Sequence, residues 1–533
     1  MATEHTPVLV VGGSLTGLSS AVFLAWHGVP CVVVERHPDL LMHPRLRGIG
    51  PRTIEAFRQV GLESAIQAAS YGGTDFRWEP IRAETLADAE YAGLPEEGDG
   101  EDLTAASPCG FGPIDQDRLE VVLRARATEL GADLRFATEL TAFEQGADGV
   151  TARLRDGRTG QAYDVRADYL IAADGWTSPL RQQLGIEVDG PGALFHTITA
   201  IVEADLSPAT RGRRVSLAYL QQPQPFTIVM AHDEIGHRWV FGTGYSPEHE
   251  SLNDYTDERV ADLVRSAAGL PDVKVTLHAQ IPGTDKKVLG FSIGAQVARN
   301  YRAGRAFLVG DAAHLVPPTG GLGGNAGIQD AHNLAWKLAA VVRGEAGPGL
   351  LDTYHDERQP IGQLTMAQAF ARFGSRMGPG AEVPLIDYAS VAMGYQYRSA
   401  AITGAAEDTA PLRPQDLAGQ PGTRAPHLTI TKQGREISTI DLYGRTFVLL
   451  AGADAGPWVE AARGVAMKLD LPVEAYRFGV ELTSADGPAR HGIGTDGALL
   501  VRPDGVVAWR SQHGTSDATA ELTEVVRAVL HRA

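Results

Sequence analysis

Near its start the chain carries a short unbroken apolar run, Val8, Leu9, Val10 and Val11, cut off by Gly12 and Gly13. A run that is apolar at every position predicts a strand covered on both faces, as in a parallel sheet. From Leu18 the spacing turns helical: Leu18, Ala21, Val22 and Ala25 share one face, and Gly28 supplies a left-handed stop. After Pro30, "CVVVE" predicts a second buried strand that ends on Glu35. Further buried runs occur at 169–172, leading into Asp174 and Gly175, and in "RAFLVGD", ending on Asp311. Pro317 and Pro318 then stiffen a loop holding Gly320, Gly321, Gly323 and Gly324. An amphipathic helix is expected from Asn325, with Ile328, Ala331, Leu334, Ala335 and Leu338 as its stripe.

Between these segments the pattern alternates. "HTITAIVEADL", "RRVSLAYL" and "HRWVFGTGY" predict strands of a separate sheet within 186–290. "LDTYHDERQPIG" reads as a helix end stopped near Pro360, with Glu357 and Arg358 in a structural ion pair. "TMAQAFARFGSR" reads as a further helix carrying Arg372. The Pro-, Gly- and Ala-rich stretch 403–425 reads as a connector.

Strand, glycine turn, helix, strand and acid together make a dinucleotide-binding unit. Gly12 makes the turn, and Gly17 permits close helix–strand packing. A pyrophosphate would rest on the helix N-terminus, and Glu35 would accept from ribose hydroxyls. Ser14 departs from the fingerprint, which favours glycine where the backbone approaches the phosphates. On this stretch alone a flavin, a nicotinamide cofactor or no ligand at all remain open. Asp311 is placed to accept hydrogen bonds from a polyol chain. The glycine loop before Asn325 presents backbone N–H groups to an anion or a developing negative charge.

Composition narrows the partners. A length of 533 residues implies two or three domains, and a net charge of −18 argues against nucleic acid or an anionic membrane surface. Cys31 and Cys109 are the only cysteines, so neither a disulfide framework nor a Cys/His metal site is expected, as suits a reducing cytoplasm. No apolar run approaches the roughly 20 residues that span a bilayer, and "MATEHTP" lacks the features of an export signal. The expectation is a cytoplasmic protein with no metal, no membrane and no nucleic-acid partner.

Three motifs stand in order, "GGSLTG", "DGWTSPLR" and "GDAAHLVPPTGG", with "ERHPDLLMHPRLRGIGPRTIEAFRQVGL" and "IDQDRLEVVL" between the first two. In these the chain resembles the class A flavoprotein monooxygenases, single-component aromatic hydroxylases of the para-hydroxybenzoate hydroxylase fold. Within them it is most similar to polyketide hydroxylases of actinobacterial aromatic pathways. The segment "STIDLYGRTFVLLAG…GALLVRPDGVVAWRS" resembles the thioredoxin-like extension of that subgroup.

The resemblance implies an α/β fold in three parts. A Rossmann-like FAD-binding domain would comprise 1–75, 100–185 and 286–365, interleaved with a β-sheet substrate domain at 76–99 and 186–285. A helical segment at 366–402 would cover the active site, and a linker at 403–426 would lead to a thioredoxin-like domain at 427–533. The latter has no cysteine, which excludes dithiol chemistry and leaves a structural or association role.

The resemblance also assigns roles. Gly12, Ser14, Leu15 and Gly17 would hold the FAD pyrophosphate, with Glu35 and Arg36 at the adenosine ribose. Arg45 would lie near the FAD, Gln116 would reach the ribityl and phosphate region, and Leu140 would contact adenine through its backbone. Asp174 belongs to a motif tied to FAD and the nicotinamide cofactor and is expected to be mainly architectural. Asp311 would bind the ribityl chain, Pro318 would shape the loop, and Gly323, Gly324 and Asn325 would face the pyrimidine edge. Leu322 and Gly324 stand where relatives often carry glutamine and methionine. Arg372 is the candidate for assisting deprotonation of a phenol.

The implied reaction is NADPH- and O2-dependent hydroxylation of an aromatic polyketide through a flavin C4a-hydroperoxide, by a monomer or a homodimer. No second glycine fingerprint exists for NADPH, and NADH is not distinguished from it. Baeyer–Villiger oxygenation, hydroxylation of a small phenol or antibiotic, and a non-oxygenating flavin-fold binding protein are the alternatives.

Overall fold

The computed structural model describes residues 4–43, 45–70, 80–90, 103–213, 215–232, 237–377, 383–484 and 486–532. Of the expected substrate segment 76–99, residues 76–79 and 91–99 lie outside the described residues.

The apolar runs at the start of the chain build one eight-stranded sheet. Glu4–Val11 lies at its centre, parallel to Cys31–Glu35 on one side and to Ala162–Ala172 on the other. Asp133–Phe136 and Ala306–Leu308 extend it in parallel outward from these two. Val8, Leu9, Val10, Leu170, Phe307 and Leu308 are wholly buried, as strands covered on both faces must be. The crossover helix Leu15–Trp26 covers one face and ends at His27, with Gly28 at φ +74° turning the chain back. An antiparallel ribbon, Thr138–Gly146 with Gly149–Asp156, is tied to Ala162–Ala172.

The alternating segments build a second eight-stranded sheet. Val188–Glu203 runs through it between Arg238–Tyr245 and Val288–Ala298, and Thr227–Ala231, Leu217–Leu220 and Pro80–Ala83 follow outward. Ile198, Ala200 and Val202 point into its core together with Phe241 and Val229. At its other edge lies the short strand His314–Leu315, with His314 opposite Val297. The chain therefore passes from the first sheet to the second within a few residues of Asp311.

Two long helices depart from the expectations. Leu322–Val342 begins three residues before Asn325, at the N-cap Gly321, and is buried on nearly every side rather than along one stripe. Its neighbours on the far side are the C-terminal domain, which the local pattern could not announce. Thr353–Met377 runs straight through Pro360, so no helix end lies there, and it crosses the expected boundary at 365/366. A proline inside a helix costs about 3 kcal/mol. Here Tyr354, Arg358, Ile361, Thr365, Gln368 and Phe373 are all buried along the same helix, which offsets it.

The C-terminal four-stranded sheet has the order Val473–Arg477, Phe447–Ala451, Ala498–Val501, Val507–Ser511. The first pair is parallel and joined by Gly456–Leu469; the others are antiparallel, and Ala518–Val529 closes the unit. This is thioredoxin-like topology. Trp336, Ala340 and Leu350 of the preceding domain share its core. The stretch expected as a connector is bound at both ends, with 406–410 exposed between them: Thr403 N–H donates to Ala508 O at 2.7 Å, Gly422 N–H to Val507 O at 2.8 Å, and Arg424 grips Glu55. Among the described residues no helix is long and apolar enough to cross a membrane.

Candidate active site

The glycine turn is built for close approach. Gly12 sits at φ +108°, where a Cβ would run into Ala173 O, and a Cβ on Gly17 would run into Gly12 O. Gly12 N–H donates to Val34 O at 2.9 Å, fixing the turn to the second strand. Leu15 begins the helix and is buried, while Ser14, its N-cap, makes no side-chain cap bond to the helix N–H groups. Its hydroxyl instead donates to Glu120 Oε1 at 2.5 Å, and Gln116 Nε2 donates to Glu120 Oε1 at 2.8 Å and to Ser14 Oγ at 3.2 Å. Glu120 also takes the N–H of Leu15, the first of the helix; an anion is the external acceptor that the helix dipole favours at the donors that follow.

Glu35 follows at the end of its strand. Gly13 N–H donates to its Oε2 at 2.8 Å, and His37 supplies its N–H at 2.9 Å and its ring Nδ1 at 2.5 Å to Oε1. Burial pushes the Glu35 carboxyl up, but the bonds from His37 and Gly13 outweigh it and hold the group below its ordinary range. It is an ionised acceptor. Arg36 beside it is exposed. Leu140 lies on the neighbouring ribbon just beyond Ala137, whose N–H donates to His37 O at 2.8 Å.

Asp311 occupies a single tight turn, Gly310–Ala312, after the strand Ala306–Leu308. The residue is exposed to solvent yet densely surrounded by protein. That desolvation raises its pKa, against the pull of Arg45 and His314. Arg45, itself exposed, exerts the same pull on the buried Glu120, so its charge stands among both acids. The residue after it, Leu46, accepts from Gln116 N–H at 2.9 Å and limits the space at Gly324, where a Cβ would strike the Leu46 side chain.

The glycine loop closes the site. Gly320 and Gly321 take φ +80° and +62°, and Gly321 caps Leu322–Val342 without any side-chain bond. Pro318 is exposed at the loop's start. A Cβ on Gly323 would come within 2.6 Å of Val316 Cγ2. Asn325 turns its side chain inward: Gly50 N–H and Thr53 Oγ1 donate to its Oδ1 at 2.9 and 2.6 Å, and its Nδ2 donates to Gly321 O at 2.8 Å. What the loop offers a ligand is therefore backbone, not the Asn325 amide.

The structure thus brings together Gly12, Ser14, Leu15, Gly17, Glu35, Arg45, Gln116, Asp311 and Gly324. Asp174 abuts Gly12, but its oxygens accept from Ser178 Oγ at 2.6 Å and Leu180 N–H at 3.0 Å, capping the helix Pro179–Gln183. Arg372 is buried; it donates to Gln368 Oε1 at 2.9 Å and to Ile386 O, and its stem passes the Gly320 turn.

Sequence reasoning missed Asp330. Wholly buried on Leu322–Val342, it accepts from Gly310 N–H at 3.0 Å, His314 Nε2 at 2.7 Å and Arg358 Nε at 2.7 Å. It anchors the turn that presents Asp311. The signal was present: Asp330, Asn333 and Lys337 stand in a helix left with no polar face. Among the described residues, Asp115, Asp117 and His232 lie close enough to share a metal ion, but Arg47 Nε already neutralises Asp115 at 2.8 Å.

The donor set fits FAD: a tight glycine cradle, a helix N-terminus with no side-chain cap from Ser14, one ionised acid at the end of the second strand, Asp311 on its turn and a run of backbone donors. Comparison with known proteins points the same way. Residues 5–369 match the FAD binding domain family, and 418–533 match the aromatic-ring hydroxylase C-terminal family. The tetracenomycin A2 monooxygenase-dioxygenase of Streptomyces glaucescens is 42% identical, over 100% of this chain and 98% of its own. The 4-methyl-5-nitrocatechol 5-monooxygenase of a Burkholderia species is 39% identical, over 99% and 98%. A solved ternary complex of aklavinone-11 hydroxylase with FAD and aklavinone superposes with a TM-score of 0.89, at 39% identity, over 100% of both chains.

Proposed function

Because the chain belongs to the FAD-dependent aromatic-ring hydroxylases, we propose that it hydroxylates an aromatic polyketide with O2 and NAD(P)H, NADPH being the reductant favoured. The observation that carries this reading is the close approach of the Asp311 turn and the glycine loop to the Gly12–Gly17 turn: a Cβ on Gly310 would meet Thr16 Oγ1 at 2.5 Å, and one on Gly324 would meet Leu15 Cδ2 at 3.3 Å. The Gly12–Gly17 turn comes from the start of the chain, and the other two follow a single strand, Ala306–Leu308, of the same sheet.

In this reading the N–H groups at the start of Leu15–Trp26 hold the pyrophosphate, Glu35 takes the ribose hydroxyls and Asp311 the ribityl chain. Gln116 and Arg45 border the phosphates, and Leu140 meets the adenine through its backbone. The backbone N–H groups of Gly323, Gly324 and Asn325 face the pyrimidine edge, where they stabilise negative charge. Bound FAD, once reduced, supplies the activated oxygen; the protein orients the substrate and excludes water. The sheet centred on Val188–Glu203 carries the substrate over this site. A phenol is a better nucleophile once its proton is drawn off, and Arg372, held by Gln368, is the cation that would assist this.

The nitrocatechol monooxygenase among the relatives favours a second reading, hydroxylation of a small single-ring phenol. The purified protein is expected to be yellow and to consume NADPH faster when a polycyclic phenol is added. The product should gain one oxygen atom, labelled when 18O2 is supplied. Faster consumption with single-ring phenols alone selects the second reading. A lactone product identifies Baeyer–Villiger oxygenation, and a protein that takes up no FAD overturns both.

A further inference from the structure

The thioredoxin-like domain holds no thiol, yet it reaches deep into its neighbour. Its hairpin Ala498–Val501 and Val507–Ser511 turns through 502–506, and this turn is buried: Arg502 completely, Asp504 almost so. The Asp504 carboxylate accepts from Arg502 Nε at 3.1 Å and Nη2 at 2.5 Å, and from Asn333 Nδ2 at 3.3 Å. Its backbone carbonyl accepts from Arg52 Nη2 at 2.9 Å.

Arg52 stands in the first turn of Pro51–Gln59. Directly beside it, Thr53 Oγ1 and Gly50 N–H donate to Asn325 Oδ1, and Asn325 Nδ2 donates to Gly321 O. An unbroken series of bonds therefore runs from the tip of the C-terminal hairpin, through one helix, to the glycine turn. The same helix is gripped a second time where Arg424 Nε meets Glu55 Oε2 at 2.7 Å. Buried ionic groups contribute little net stability compared with apolar packing. They do fix geometry, because every partner must be met at once.

We propose that the C-terminal domain is a buried wedge that positions the flavin-facing turn Gly320–Gly321, with Asp504 and Arg52 as its positioning residues. This rests on the reading above that the turn faces FAD. The thiol-free domain then serves to hold rigid a loop whose left-handed glycines would otherwise leave it free to move.

Full-length Arg52→Met, Arg52→Lys and Asp504→Asn proteins are compared with the native chain. Three quantities are read: the FAD dissociation constant, the fine structure of the visible flavin band, and thermal unfolding of the FAD-free form. Arg52→Met is expected to weaken FAD binding by about three- to thirtyfold and to blur the band. Arg52→Lys keeps one donor for the Asp504 carbonyl and should recover most of both. Asp504→Asn preserves shape while removing charge, and should weaken FAD binding to an intermediate degree even if Arg52→Met fails to fold. Native FAD affinity and band shape in the variants that fold would overturn the proposal. So would a loss that only tracks the unfolding temperature of the FAD-free form, with no recovery by lysine. A native chain that binds no FAD would instead overturn the flavin reading on which it rests.

Discussion

Ser14 Oγ donates to Glu120 Oε1 across 2.5 Å, with Gln116 Nε2 bonded to both. The serine in a glycine's place is thus turned aside from the helix, toward an acid that also takes the Leu15 N–H. Burial raises the Glu120 carboxyl, and the Ser14 and Gln116 bonds oppose that rise. Ser14→Gly should keep FAD, with binding weakened by less than about threefold, because Gln116 still satisfies Glu120. Ser14→Val should weaken it by about tenfold or more, through the bulk of its branched side chain at the phosphates. Equal FAD affinity in the valine variant would show that the phosphates do not approach this backbone.

Gly310→Ala tests the placement of Asp311. Gly310 lies at φ +58°, and an added Cβ would meet Thr16 Oγ1 at 2.5 Å. The turn must shift, and Asp311 with it. FAD should be lost on gel filtration while the C-terminal domain stays folded by tryptophan fluorescence. Retention of stoichiometric FAD would remove Asp311 from the site.

The buried Glu357 ties three segments together. It receives Arg502 Nη1 and Nη2 at 2.6 and 2.8 Å and Lys337 Nζ at 2.8 Å. Burial alone would raise its pKa; Arg502 and Lys337 overcome this and hold it far below the usual range. Burial also lowers Lys337 to about 8, against the pull of Glu357. Glu357→Gln leaves two buried cations underpaired and should cost about 3–5 kcal/mol. Because the folded pKa lies below the unfolded one, this stabilisation is complete above about pH 4.5 and lost as pH falls through the folded value. The gap between native and Glu357→Gln unfolding free energies should therefore shrink in acid below about pH 4.5, and it should also narrow toward pH 8, where Lys337, no longer held up by Glu357, sheds its proton in the variant. A gap unchanged at about pH 3 would contradict the assignment.

Much of this was legible in the sequence, and the reason is locality. The glycine turn, Glu35 and Asp311 lie in short windows where one strand and one turn fix the meaning. Glu357 and Arg358 are ion-paired as their residue types suggest but not with each other: Glu357 meets Arg502 and Lys337 and Arg358 meets Asp330, partners on separate elements that no local window joins. Pro360 misleads for the same cause: a local rule about helices yields to packing along the whole length of Thr353–Met377.

Arg372 offers a sharper test of mechanism. If its charge stabilises the phenolate as the proton leaves to solvent, Arg372→Met should lower turnover by about 100-fold. The pH at which the rate rises should then move toward the free phenol's own pKa, with FAD content native. If Arg372 only braces Gln368 and Ile386, substrate affinity and melting temperature should fall while the pH profile stays put.

Both thiols should resist alkylation in the native protein. Cys31 and Cys109 are buried, and burial pushes Cys31 up to about 12 and Cys109 higher still. Mass spectrometry after iodoacetamide treatment should find neither modified until denaturant is added.

The first sheet has a consequence for how the chain reaches this state. Glu4–Val11 is synthesised first, yet its neighbour Ala162–Ala172 arrives much later, and the next strand, Ala306–Leu308, later again. Gly347 N–H even waits for Leu530 O, in the stretch after the helix Ala518–Val529. Pairing that spans so much chain is slow, and it exposes sticky strand edges while the ribosome is still at work. Nascent-chain protection, rather than the finished fold's stability, should therefore set the yield of this protein in a foreign host. Fragments that stop short of the last helix should accumulate as aggregate.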